Sequence, residues 1–158
     1  MTAGSARVRE ARPDDRPFIV EAAERLAEFG APTGRTAEEI VAAETRTLLR
    51  HFAAPSSSEA LLVAEDGDGR RLGFAFLETA TDYFTGESHG HVAILVVTRA
   101  AQGTGAGGAL LVAAEDWSRR RGHRRLTLNV FAANRHAREV YEHVGFAAET
   151  LRYVKYLG

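Results

Sequence analysis

Val92–Leu111 reads VAILVVTRAAQGTGAGGALL, and the fold is read outward from this stretch. Val92 to Val97 is an apolar run of the length of a buried strand. A short polar connection leads into Gln102-Gly103-Thr104-Gly105-Ala106-Gly107-Gly108, which opens directly into the helical spacing of Ala109, Leu110, Ala113, Ala114 and Trp117. Strand, glycine-rich turn and helix start together make a site for phosphate. Glycines let the backbone pass close to an anion. The first N–H groups of a helix lack intrahelical partners, and the helix dipole adds partial positive charge there. A tight loop with no ligand would need one glycine, whereas Gly103, Gly105, Gly107 and Gly108 all fall within this turn.

On the N-terminal side, Arg7–Ala11 is an edge-strand candidate ended by Pro13. Asp14 or Asp15 caps a helix that runs to about Phe29 with the apolar stripe Phe18, Ile19, Ala22, Ala23 and Leu26. Thr36 and Glu39 form a capping box for a second helix carrying Ile40, Val41, Leu48, Leu49 and Phe52. Ala60–Glu65 and Leu72–Glu78 are strands joined by the turn Asp66-Gly67-Asp68-Gly69, with Gly73 a bulge candidate. Thr81–Gly90 reads as a loop. On the C-terminal side, Gly122 ends the central helix and Arg125–Phe131 alternates as a strand. Asn134 caps a last helix that stops at Gly145, and Phe146–Leu157 reads as one or two final strands. The order is β-α-α-β-β-β-α-β-α-β. Three consecutive strands between helix pairs argue against a doubly wound sheet and for an α/β (α+β) mixed sheet with helices on both faces.

The 158 residues fit one domain, residues 1–158. The formal net charge of −1 indicates no general affinity for nucleic acid. There is no cysteine, which excludes disulfides, a thiol nucleophile and thiolate metal sites. No apolar run approaches the roughly 18 residues needed to span a bilayer, and the N-terminus lacks an apolar signal core. The expectation is a cytoplasmic protein that does not engage a membrane.

Gly103, Gly105 and Gly108 also satisfy G-x-G-x-x-G. A dinucleotide fold would place an acidic residue about 20 positions on. That region reads Gly122-His123-Arg124-Arg125-Leu126-Thr127-Leu128-Asn129 and holds no acid. The phosphate-binding lysine of a P-loop is absent too, since Lys155 is the one lysine of the chain.

The chain resembles the GNAT superfamily of N-acetyltransferases. Gln102-Gly103-Thr104-Gly105-Ala106-Gly107 matches its Q/R-x-x-G-x-G/A acetyl-CoA signature. Asn134, Ala137, Tyr141 and Gly145-Phe146 match the N-x-x-A-x-x-x-Y-x-x-x-G-F pattern that follows it. The resemblance extends to the element order and covers essentially the whole chain. It implies acetyl-CoA as cosubstrate and the GNAT fold, with no metal. Gln102, Gly103, Thr104, Gly105, Ala106, Gly107 and Gly108 would form the turn that cradles the pyrophosphate. Backbone groups of Leu95, Val96 and Val97 would pair with the pantetheine arm past a bulge, and Asn134 would contact that arm. Tyr141 would donate to the departing thiolate. Phe29, Asp82, Tyr83 and Phe84 come from segments the family uses to wall the acceptor pocket.

Elementary chemistry supports the role of Tyr141. A thiol pKa is about 8.5 and a phenol about 10, so full proton transfer to a free thiolate is uphill by roughly 2 kcal/mol. A hydrogen bond to charge developing on sulfur is the better use of this group. The attacking amine must also lose a proton. For a lysine-like amine this costs roughly 4.6 kcal/mol at pH 7, for an α-amine about 1 kcal/mol. Many family members carry an acid on the central strand, but here that strand begins His91-Val92-Ala93-Ile94-Leu95. The base is sought among Glu78, Asp82, Glu87, His89 and His91, with Glu78 and His91 placed in the catalytic set. His89-x-His91 lacks a third ligand at metal spacing. The basic residues Arg119, Arg120, Arg121, Arg124 and Arg125 stand at a helix C-terminus, where cations are favoured. They are also candidates for the coenzyme 3′-phosphate or an acidic partner. The expected activity is acetyl transfer from acetyl-CoA to a primary amine of a small molecule. A protein N-terminal or lysine acetyltransferase, or an acyl-CoA-binding module without catalysis, is the alternative. A homodimer is compatible with the resemblance.

Overall fold

The structure, a computed structural model, describes residues 5–158. A five-stranded sheet in the order β1-β2-β3-β4-β5 organises it. The strands are β1 (Arg7–Glu10), β2 (Glu59–Glu65), β3 (Arg71–Thr81), β4 (Ser88–Val97) and β5 (Leu126–Leu128). The first four run as an antiparallel meander. β5 lies parallel to β4 after the crossover helix α3 (Ala106–Arg120). Helices α1 (Arg16–Ala22) and α2 (Ala37–Ala53) cover one face. Helix α3 covers the other, and α4 (Arg135–His143) contributes Tyr141 to that side. No helix among the described residues is long and apolar enough to cross a membrane.

Helices on both faces explain why β2 and β3 are near-continuous apolar runs rather than alternating ones. Leu61, Val63, Phe74 and Phe76 pack under α1 and α2 with Ile19 and Leu48. Leu62, Ala75, Leu77 and Val92 pack under α3 with Leu110, Ala114 and Trp117. Phe74 and Phe76 are fully buried, so truncation of either to alanine costs about 3–5 kcal/mol. Gly90 lets α3 approach β4, since a Cβ there would run into Ser118 Oγ. Gly73 is required for a similar reason, the nearness of the Val96 carbonyl. The bulge expected at Gly73 lies beside it: Ala64 pairs with Gly73 and Glu65 with Arg71, which leaves Leu72 over.

Several expectations are corrected. The helix expected from Asp15 to Phe29 is a composite, with 3-10 turns over Pro13–Asp15 and Ala23–Ala27 on either side of α1. Asp15 does not cap α1. Fully buried, it accepts from Arg9 (2.7 and 3.0 Å), from the Arg71 Nε (2.6 Å) and from the Arg12 backbone N–H (2.6 Å). Burial alone would push this carboxyl up, but the hydrogen bonds from Arg9, Arg12 and Arg71 outweigh it and hold the group well below the usual carboxylate range. The loop expected over Thr81–Gly90 is shorter, because β3 runs to Thr81 and β4 starts at Ser88. The strand expected over Arg125–Phe131 shrinks to three residues. No strand forms over Phe146–Leu157; Leu151, Tyr153 and Val154 are exposed there. Alternation specifies a strand only where an edge offers matching hydrogen bonds, and β5 is too short to template one. The tail is instead tied at two points. Glu149 pairs with Arg125, and Tyr156 lies over Gly34 and donates its hydroxyl proton to the Thr33 carbonyl (3.0 Å).

Candidate functional site

The site begins where the sheet comes apart. β4 and β5 pair only through Gly90–Leu126, His91–Thr127 and Val92–Leu128. Beyond Val92 the outer edge of β4 has no strand partner among the described residues. At that point β4 also bulges: Phe76 pairs with Ile94 and Leu77 with Val92, leaving Ala93 without a partner on β3. A bulge adds twist and bends the strand, which helps β4 leave β5. Along Ala93–Val97, which includes the Leu95, Val96 and Val97 segment expected to take an extended ligand arm, the cleft leaves that edge of the backbone unpaired by any strand among the described residues. The Val97 carbonyl is already engaged, by Arg25 Nη1 at 2.5 Å.

At the mouth of this cleft stands the glycine turn. After a 3-10 turn over Arg99–Ala101, Gln102 leads into Gly103 and Gly105, both with positive φ (77° and 85°), and Gly105 is the residue before the first turn of α3. Thr104 donates to the Ala101 carbonyl (2.5 Å), closing the turn without help from outside. Ala106, Gly107 and Gly108 are the first residues of α3, and their N–H groups have no intrahelical acceptor. A Cβ built at Gly103, Gly105 or Gly108 would meet nothing within 4 Å, so the space in front of these amides is open. A Cβ at Gly107 would only touch Val97 Cγ2 at 3.5 Å. Open, amide-lined and at a helix N-terminus, the turn fits a pyrophosphate.

On the face under α1 and α2, Glu78 of β3 lies directly opposite His91 of β4 in register, with Thr127 of β5 next to it. His91 Nδ1 is 2.8 Å from Thr127 Oγ1, and that hydroxyl points its proton at the Gly90 carbonyl (3.4 Å). The hydroxyl therefore accepts from His91 Nδ1–H, which leaves the Nε2 lone pair free. Burial pushes the His91 imidazole below its usual pKa; Glu78 works against this and His89 reinforces it. A neutral imidazole with one free lone pair is a proton acceptor. Above this pair comes a residue that sequence reasoning missed. Glu44 stands one helical turn before the buried Leu48 of α2 and so on the sheet-facing stripe. Burial, then Glu78, push its carboxyl up. An acidic residue in the middle of an amphipathic helix reads as solvated; only its i, i+4 relation to Leu48 signals otherwise.

Tyr141 and Asn134 come from α4. Asn134 caps the helix, its side chain accepting from Ala137 N–H at 3.2 Å, which leaves its amide donors free. Tyr141 packs on the α3 side of the sheet, edge-on to Phe146 with ring centroids 6.0 Å apart. Burial alone pushes its phenol up, so it remains a proton donor throughout the neutral range. Tyr141 and His91 thus belong to opposite faces of the sheet, on the two sides of the β4–β5 cleft.

The remaining candidates are not gathered here. Asp82 sits in the β3–β4 turn, where it accepts from Thr85 N–H and Oγ1 and from Arg125. Tyr83 and Phe84 stack edge-on at 5.3 Å and are 92% and 87% exposed. Phe29 is half exposed beyond the end of the first helix. Arg119 pairs with Glu115 and Asp116 on α3. The basic run ends α3, and fifteen helical residues separate it from the glycine turn by about 22 Å. It is therefore far from where coenzyme phosphate would lie.

Comparison with known proteins identifies the family and the fold. The profile of the acetyltransferase (GNAT) family matches residues 24–146. A mycothiol acetyltransferase from Beutenbergia cavernae is 44% identical over 85 residues, which are 54% of this chain and 27% of that protein. The chain thus spans about a quarter of the curated relative it matches. Among solved structures, a putative acetyl transferase from Pyrococcus furiosus superposes with a TM-score of 0.77 at 21% identity, covering 96% of this chain and 99% of that one. Glucosamine-6-phosphate N-acetyltransferase from Arabidopsis thaliana gives 0.69 at 15% identity, over 97% and 99% of the two chains. At such identities these likenesses speak for the fold alone.

Proposed function

The chain belongs to the GNAT family of acetyltransferases, and on that premise we propose that it moves acetyl from acetyl-CoA to a primary amine of a small molecule. The observation that carries this reading is the open glycine turn at the end of the strand that has lost its β5 partner. Gly103, Gly105, Gly107 and Gly108 hold the pyrophosphate on backbone N–H groups, and the free edge of β4 takes the pantetheine arm. Acetyl-CoA supplies the activated thioester.

The chain's own groups then handle two protons. His91 Nε2 takes one proton from the entering ammonium, which frees the nitrogen lone pair to attack the acetyl carbon; the second proton, lost as the amide forms, makes up for the one that Tyr141 gives to sulfur. Glu78, directly opposite, stabilises the imidazolium that results. As the carbon–sulfur bond breaks, the Tyr141 hydroxyl donates to the sulfur. Glu44 and Glu78 together favour a cationic amine entering from the α2 side. The match to a mycothiol acetyltransferase supports a small-molecule acceptor.

The test is thiol release from acetyl-CoA by the purified protein, against a panel of small primary amines and a panel of peptides with free N-termini or lysines. Release with small amines is expected. Release with peptides only would replace the acceptor class, and release with neither would reduce the protein to a coenzyme-binding domain.

A further inference from the structure

The end of the sheet away from the glycine turn holds a cavity of about 720 Å³. The start of β4, the β3–β4 turn, the loop before β2 and the segment joining α3 to β5 line it, and it is open to solvent on one side. The coenzyme cleft does not use it. Among its lining residues are His89, His123, Arg121 and Arg124, facing two carboxylates, Asp82 and Glu87. Asp82 is already held by Thr85 and Arg125, and Arg125 is further neutralised by Glu149. Arg121 is fixed in place over the Trp117 ring, 4.6 Å from its centroid, and gives one N–H to the Ser57 carbonyl. Its other N–H groups are uncommitted.

The two histidines need an explanation. Nδ1 of His89 and Nδ1 of His123 are both shut off from solvent and have no hydrogen-bond partner. A buried N–H without an acceptor is rare and unfavourable. The neutral ring therefore carries its proton on Nε2. That nitrogen is not among the buried unpartnered atoms, and both residues line the cavity. Each imidazole then keeps one N–H to donate, on Nε2. Burial, then Arg121, then His89 push the His123 imidazole down, so its neutral form is the resting one. The result is a wall with donors from two separate elements, β4 and the segment joining α3 to β5.

We propose that this cavity is a second ligand site, selective for a small dianion rich in acceptor oxygens, namely phosphate free or as a phosphomonoester. Four of its lining side chains bring donors: His89 and His123 through Nε2–H, Arg121 and Arg124 through their guanidinium groups. Glu87, the one carboxylate of the wall not already engaged by a cation, disfavours bulkier polyanions on its side.

The test uses the full chain saturated with CoA, so that the glycine turn is filled and any phosphate effect arises elsewhere. Inorganic phosphate is titrated at constant ionic strength while the ring signals of the six histidines are followed by NMR. The expected result is a saturable shift of His89 and His123, with His51, His136 and His143 unmoved. Arg124 is exposed and makes no ion pair among the described residues, so Arg124→Gln keeps the fold and CoA binding. It should weaken phosphate binding about tenfold, the worth of a charged donor. His123→Gln provides a second variant. Shifts matched by chloride would overturn the proposal, as would shifts that never saturate or an affinity unchanged in Arg124→Gln. Glucose 6-phosphate in place of phosphate separates the two sources: its binding marks a phosphomonoester site, and its exclusion marks a site for the free ion.

Discussion

Gly108→Ala separates the stability of the glycine turn from its use. Gly108 is the third residue of α3 and lies in ordinary helical conformation. A Cβ there meets nothing within 4 Å, so the substitution introduces no clash. In a helix interior, alanine is better than glycine by up to about 1 kcal/mol, and in the first turn we take roughly half of that. For a chain of this size each kcal/mol moves Tm by roughly 2–4 °C, so the ligand-free variant should melt about 1–2 °C higher. The opposite is expected with coenzyme. The Cα–Cβ bond of a helical residue leans toward the N-terminus, which here is the space reserved for the pyrophosphate. At 100 times its dissociation constant, CoA adds about 2.7 kcal/mol to wild-type stability, whereas a variant binding tenfold more weakly gains about 1.4 kcal/mol at the same concentration. Thermal melts with and without CoA therefore cross over: the variant is the more stable without ligand and the less stable with it. A CoA-induced rise equal to that of wild type would refute the placement of the pyrophosphate. Gly105→Val is the weaker test, because φ of 85° strains any side chain whether or not a ligand is bound.

Tyr141→Phe keeps the ring on the α3 side of the sheet and removes only the donor. Stability should change by no more than about 1 kcal/mol and CoA binding should survive, while the chemical step slows by roughly 10²-fold or more. Single-turnover kinetics within a factor of two of wild type would return Tyr141 to a packing role. If His91 is the base, its depressed pKa requires kcat/KM to rise with pH and level off below about 6.5, the ordinary histidine value. His91→Gln should remove that limb, and a profile still climbing toward pH 10 would report the free amine instead. Asp15 is held below its unfolded pKa, so its contribution to stability is present above about pH 4 and is lost as pH falls through the lower folded value. Asp15→Ala removes the buried carboxylate that Arg9 and Arg71 share, while Arg9 keeps Glu65 and Arg71 keeps Asp14, and should cost about 1.5–3 kcal/mol at pH 7, with less loss in acid. Urea unfolding at pH 7 and pH 3 measures both.

What the sequence determined by itself is local or periodic. Strand, glycine turn and helix follow one another within Val92–Leu111, and the cap at Thr36–Glu39 and the cap at Asn134 close within four residues. Such features depend on neighbours in the chain, so their residues announce them. The runs of β2 and β3 likewise announce a sheet covered on both faces. What only the tertiary structure decided depends on register between distant segments. The bulge at Ala93 and the three-pair contact of β4 with β5 open the cleft, and neither has a signature in β4 alone. Glu78 faces His91, and Thr127 fixes the imidazole tautomer, because three strands from separate parts of the chain align at that level. Asp15 reads as a helix cap until Arg9 and Arg71 arrive from two strands to claim it. The C-terminal alternation promised a strand that does not form, since a strand is made by the edge it joins as much as by its own residues, and β5 offers only three.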